Sequence, residues 1–216
     1  MQQYNAQSAN DEGAYFVCNN AQTGLAITAA AAFAATTPFI LISNNDAAGG
    51  KNIWLDYLDL VTTAAGSAAS GLTLIQAALY LDNILRYSSG GTDISNKIVS
   101  PNMAISPTSI AKVYAGAITA AAASGSVRAV SGLRTLRPCV SGTVADVVGE
   151  TKHMTFGGGG LPTSGSVTAA NPNVIHVPMP PVKIGPQMSA LIYLFYAAAG
   201  TPVAASYAPE LGWVER

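Results

Sequence analysis

The sequence predicts an all-β protein, an antiparallel β-sandwich with a flexible N-terminal arm. Three observations carry that expectation. Some eight to ten short runs rich in Ile, Leu, Val, Tyr and Phe are separated by Gly, Ser, Asn and Pro, and no segment keeps a convincing amphipathic helical period. A chain of 216 residues suits one large β domain with a substantial core. No period of about 20 to 50 residues recurs, which disfavours a solenoid or propeller. Strand number and loop length make a jelly roll the first choice among sandwiches. Residues 1–13 are assigned to the arm and 14–216 to a single domain.

Taken in order, residues 1–13 are polar, rich in Gln and Asn, and read as an arm able to reach a neighbour. Residues 14–18 look like a strand. The Ala-rich segment 26–35 invites a helix by propensity alone, and the run after Pro38 returns to strand. Residues 43–51 form a loop by composition, and 52–63 the next strand. On strict alternation Ile53, Leu55 and Tyr57 share one face with Asp59, while Trp54, Leu58 and Leu60 share the other with Asp56. Residues 72–92 look like two strands joined at Asp82 and Asn83, which tolerate a tight hairpin. Three further runs follow from residue 108, each ended by Ser or Gly. A long Gly/Pro/Ser/Asn loop occupies 157–173.

The stretch from Pro180 to Pro202 organises the rest. Pro180, Pro181, Gly185 and Pro186 exclude a helix at its front, and the uncharged run behind them reads as a strand. Leu191, Tyr193 and Phe195 point one way, and Ile192, Leu194 and Tyr196 the other. A strand with one wet face alternates with polar residues. This one does not, so one face is assigned to the domain's own core and the other to a second subunit.

Charge supports an interaction protein. Asp, Glu, Lys and Arg make up 10% of the chain, against roughly 25% in ordinary soluble domains. Spread over the about 9,300 Å² that a monomer of this mass exposes, they leave a surface of mostly Ala, Ser, Thr, Gly and Asn. Such a surface suits a protein that neighbours cover. The net charge of −1 argues against binding nucleic acid through the overall field. Cys18 and Cys139 are too few for a disulfide framework and too far apart for a zinc motif, and are read as buried thiols of a reducing compartment. Residues 1–13 show no signal-peptide pattern. Residues 24–43 carry no charge but contain Pro38 and are mostly Ala and Thr, so no membrane span is assigned.

The chain offers little for catalysis or cofactors. The Gly157–Gly160 run lacks the Lys and Ser/Thr of a phosphate loop. His153 and His176 stand without a second ligand close in sequence, and no Gly-x-Ser-x-Gly elbow occurs. Asp56 and Asp59 fall on opposite faces of a strand unless a bulge intervenes. Asn44, Asn45 and Asp46 read as a turn before a calcium loop. Arg128, Arg134, Arg137 and Lys152 form the only basic concentration, either a patch for acidic groups of a partner or scattered solvated residues. No catalytic, cofactor or metal residue is assigned.

Several phrases together resemble a known class: NNDAAGGKNIWLDYLDL at 44–60, RYSSGGTDIS at 86–95, ETKHMTFGG at 150–158, PPVKIGPQMSALIYLFY at 180–196 and SYAPELGWVER at 206–216. They are similar to the jelly-roll capsid decoration, or cement, proteins of tailed bacteriophages, which assemble as trimers. The resemblance spans discontinuous blocks from about residue 40 onward and carries over no active-site residue. It implies a non-enzymatic virion protein on the capsid exterior, a homotrimer that sits over junctions of the major capsid protein, assembled in the host cytoplasm, with no cofactor, nucleic acid or membrane partner. The doubly apolar strands then supply the candidate subunit contacts: Trp54, Leu58, Leu60, Tyr193, Phe195 and Tyr196.

Competing readings stay open. The first is a tail or head-fibre component binding a host-surface glycan or receptor, with Tyr4, Tyr87, Tyr207 and Trp213 as the sugar platform. The others are a polysaccharide-cleaving jelly-roll enzyme and a jelly-roll major capsid protein.

Overall fold

The structure is a computed structural model and describes residues 6–20, 24–26, 33–66, 73–105, 107–139, 147–157, 174–197 and 205–216. A short helix, α1 (Ala6–Asp11), precedes fourteen strands: β1 (Tyr15–Asn19), β2 (Leu25–Ala26), β3 (Ile40–Asn44), β4 (Ile53–Ala64), β5 (Thr73–Asp82), β6 (Tyr87–Asp93), β7 (Ile98–Val99), β8 (Ala111–Ala120), β9 (Arg128–Cys139), β10 (Thr151–Phe156), β11 (Val174–Met179), β12 (Lys183–Ile184), β13 (Ser189–Ala197) and β14 (Ser206–Glu215). They form two sheets packed as a sandwich. The larger runs β11-β10-β4-β14-β1-β7, with β12 on β4 and β2 on β14; the smaller runs β6-β8-β3-β13-β5-β9. Every pairing is antiparallel except that of β10 with β11.

The core lies between the sheets. Phe16, Leu58, Leu60, Met154, Leu211 and Trp213 from the larger sheet meet Ile40, Ile42, Ile75, Leu79, Val113, Ile192 and Leu194 from the smaller. Strand β13 is apolar on both faces, as its sequence predicts. Its second face, however, is covered by the same chain. Leu191, Tyr193 and Phe195 join Leu41, Ala78, Ile118 and Ala120 in a second buried cluster. Phe33 packs over it, 4.9 Å from the Tyr193 ring and 5.8 Å from that of Phe195. Tyr193 Oη donates to the Ala35 carbonyl at 2.9 Å, and burial pushes its phenol up to about 12. Ile118 and Ala120 lie past Gly116, whose φ of +95° is a backbone state that residues with a Cβ rarely adopt. The smaller sheet is thereby partly sealed on its outer side.

Where composition predicts an arm, Ala6–Asp11 is helical, and buried Ala9 packs against Tyr15 and Val214 on the outer face of the larger sheet. Residues 1–5 lie outside the described set. The predicted helix at 26–35 falls largely outside it too. Among the described residues, no helix is long and apolar enough to cross a membrane.

Three buried polar centres pin the layers. Arg86 Nη1 meets Asp82 Oδ2 at 2.7 Å, and its Nε donates to the Ala121 carbonyl at 2.8 Å. Lys152 Nζ lies 2.9 Å from Glu150 Oε1, donates to Thr62 Oγ1 at 2.9 Å and faces the Tyr207 ring. Glu215 accepts from Trp213 Nε1 at 2.9 Å, from the Ile110 amide at 3.2 Å and from the Ser109 hydroxyl. With these five charged side chains inside, the outer surface is even poorer in charge than composition implies.

Candidate functional site

Among the described residues, a cluster of titratable groups lies on the outer face of the larger sheet, and a β-bulge brings it together. Along β14 and β4, Gly212 faces Tyr57 but Trp213 faces Leu55, which leaves Asp56 as the extra residue. The extra residue shifts the alternation of β4 by one. Ile53, Leu55, Leu58 and Leu60 all turn into the core, while Trp54, Asp56, Asp59 and Val61 turn outward. The two carboxylates that strict alternation separates therefore share a face.

Each of these carboxylates has a partner. Tyr15 Oη donates to Asp56 Oδ2 at 2.7 Å, and Tyr57 Oη donates to Glu210 Oε1 at 2.7 Å. Asn19 Nδ2 donates to Glu210 Oε2 at 3.0 Å, and His153 Nδ1 lies 2.5 Å from Asp59 Oδ1. The Tyr57 ring stacks on His153, and His176 meets His153 edge-on at 5.3 Å. Burial first, then the hydrogen bonds to Asp56 and Glu210, raise the phenols of Tyr15 and Tyr57 well above the ordinary tyrosine value, so both stay protonated donors. Gly212 makes the arrangement possible, because a Cβ there would sit 2.3 Å from the Tyr57 ring and 2.6 Å from Tyr15 Oη.

Chemically this is a cross-strand network that ties β1, β4, β10 and β14. A His–Asp pair could orient a general base, yet among the described residues no Ser, Thr or Cys hydroxyl or thiol hydrogen-bonds the His153 ring. Nor do three or more His, Cys, Asp or Glu groups among the described residues converge in a way that could hold a metal ion. Cys18 is buried, its Sγ 3.4 Å from the Ile94 carbonyl, and desolvation pushes its thiol up to about 12.

The candidate subunit contacts whose side chains are described separate into three groups. Leu58 and Leu60 are fully buried in the main core, which the bulge explains. Tyr193 and Phe195 are buried under Phe33, so the cover expected from a second subunit comes from this chain instead. Trp54 is 38% exposed on the outer face, with Lys183 Nζ 4.9 Å above its ring. Tyr196 lies in β13 opposite Ile75, and its side chain is outside the described set. Of the glycan platform, Tyr207 and Trp213 are core residues, Tyr87 is exposed and stacked on Tyr114, and Tyr4 is not described. Of the basic concentration, Lys152 is buried and ion-paired and Arg128 is exposed, while the side chains of Arg134 and Arg137 are not described. Asp46 closes a turn, its carboxylate accepting from the Ala47 and Lys51 amides. Residues 158–160 of the glycine run lie outside the described set.

Sequence reasoning missed one surface feature. The loop between β7 and β8 carries Met103, 95% exposed, between exposed Val99 and Ile105. Asn102 stiffens it, accepting from the Ala104 amide at 2.9 Å and donating from Nδ2 to the Asn10 carbonyl of α1 at 2.8 Å. The sequence signal was three apolar residues, Val99, Met103 and Ile105, among turn formers. No protein-family model matches the chain, and no curated protein or solved structure shows significant similarity to it.

Proposed function

We propose that the protein is a capsid decoration protein, a non-enzymatic structural component that binds as a trimer over junctions of a major capsid protein and stabilises the head. The sandwich is read as jelly-roll in type. The observation that carries the reading is Met103: an apolar side chain exposed next to Asn102, which hydrogen-bonds α1 and the Ala104 amide, on a surface with few charges. Exposed apolar groups that the fold itself supports mark contact sites, and methionine adapts to the surface it meets. A trimer presents three such loops, and three weak contacts made together add up through effective concentration. The phrases at 44–60, 86–95, 150–158, 180–196 and 206–216 support the same reading by resemblance.

The test is the copy number of the chain in purified particles relative to the most abundant head protein, by quantitative mass spectrometry. Hundreds of copies agree with decoration; a few to a few dozen would move the protein to the tail or a fibre. Met103→Asp, expected to leave folding unchanged, lowers retention on particles under salt washing. Unchanged retention would remove the loop from the contact.

A further inference from the structure

Between the β5–β6 turn, the start of β9 and the segment joining β12 to β13 lies an open cleft of about 360 Å³. Leu81, Ile184 and Met188 form its apolar side, and Asn83, Arg128 and Lys183 its polar side. One acidic group lines it, Asp82, and that carboxylate is buried and already held by Arg86 and Ser124. Arg128 and Lys183 are exposed and have no ion-pair partner among the described residues; Lys183 is held over the Trp54 ring. Ile84, Leu85 and Val127, neighbours of the lining residues in sequence, are also exposed. In a chain with so few charges, two unpaired cations on one apolar cleft form a local positive site.

The chemistry of the lining selects an occupant. An Arg fork and an ammonium favour an oxyanion, and the Asn83 amide can donate beside them. The apolar side disfavours a small, fully hydrated inorganic ion and favours an anion carried on a hydrocarbon body. The open mouth, with apolar residues flanking it, suits a chain that continues past the cleft in both directions. We propose that this cleft docks an acidic peptide segment of a partner protein, a Glu or Asp side chain reaching Arg128 and Lys183 while a neighbouring aliphatic residue covers Leu81, Ile184 and Met188. The inference rests on these residues and not on the capsid role. Copy number and retention test that role, whereas the cleft is tested on the isolated protein.

The experiment titrates the isotope-labelled full chain with the capped peptide acetyl-Gly-Leu-Glu-Leu-Gly-amide, its Gln counterpart and hexanoate, followed by NMR. The Glu peptide is expected to shift the Arg128 Nε–H, Met188 methyl and Trp54 indole signals. The Gln peptide, and the variants R128A and K183A, are each expected to bind about tenfold more weakly. Both variants alter exposed side chains, and unchanged melting temperatures would show that they fold. Equal binding of the Glu and Gln peptides, binding indifferent to both variants, or shifts confined to other surfaces would overturn the proposal. So would saturation by hexanoate with no response to the peptide, which would make the site one for a free carboxylate.

Discussion

Replacing Arg86 by Met tests how the two layers over β13 are joined. The guanidinium is 1% exposed, meets the Asp82 carboxylate at 2.7 Å, and donates to the Ala121 carbonyl at 2.8 Å and towards the Ala35 carbonyl at 3.4 Å. In R86M the methionine fills much of the volume, but among the described residues Asp82 keeps only the Ser124 amide and hydroxyl as donors. Removing one partner of a buried pair costs about 3 to 5 kcal/mol, which at about 2 to 4 °C per kcal/mol for a chain of this size lowers Tm by roughly 10 °C. The pH dependence gives the reasoning a second check. Burial alone would raise the Asp82 pKa, but the Ser124 hydrogen bonds and Arg86 outweigh it and hold the folded value below the ordinary carboxylate range. A carboxyl with a depressed folded pKa contributes stability above its unfolded value and loses it as pH falls through the folded one. The penalty of R86M is therefore largest at neutral pH and shrinks in acid below about pH 4, as Asp82 takes up a proton. The double variant D82N/R86M should recover part of the loss at neutral pH. Urea unfolding of the wild type, R86M and the double variant at neutral and acid pH measures both effects. A single-variant loss below about 1 kcal/mol, or a double variant less stable than R86M at neutral pH, would refute the account.

Other outcomes follow from the packing and the outer network. Phe195→Ala and Tyr193→Ala each open a cavity under Phe33 and cost about 3 to 5 kcal/mol, measurable by chemical denaturation at concentrations where the chain is a monomer. Gly212→Ala pushes its Cβ into the Tyr57 ring and Tyr15 hydroxyl; the expected loss is about 1 to 3 kcal/mol, and relief by Tyr57→Ser in the same chain would confirm the clash as its cause. Cys18, buried and with a raised thiol pKa, should resist alkylation at neutral pH until the protein unfolds, as peptide mapping after iodoacetamide treatment would reveal.

The sandwich was legible because strand punctuation by Gly, Ser, Asn and Pro is a local property. The faces of β4 were not. A bulge inserts one residue without a distinctive composition, so alternation read across Asp56 put Leu58 and Leu60 on the face of Trp54, opposite Ile53 and Leu55. The same shift brought Asp56 and Asp59 to one face, where sequence spacing had parted them. For β13 the two apolar faces were read correctly. What covered the second was beyond local inference, because Phe33 and Ala35 lie some 160 positions away in a segment whose Ala content suggested a helix. Helix α1 escaped notice because one buried alanine, Ala9, does most of its packing. The basic residues clustered at 128–152 have different fates, since burial of Lys152 against Glu150 depends on the tertiary fold.

Strand β14 lies in the middle of the larger sheet, between β4 and β1, although it follows the other thirteen described strands in the chain. A ribosome must therefore release residue 215 before the sheet can close. Until then β4 and β1, separated by the gap that β14 will fill, each present an unsatisfied edge. Closure of this sheet waits on β14 and is a slow, non-local step. The interval before that step is when nascent chains are most exposed to pairing with one another. Expression yield should accordingly respond to growth temperature and chaperone supply more sharply than the stability of the finished sandwich would suggest.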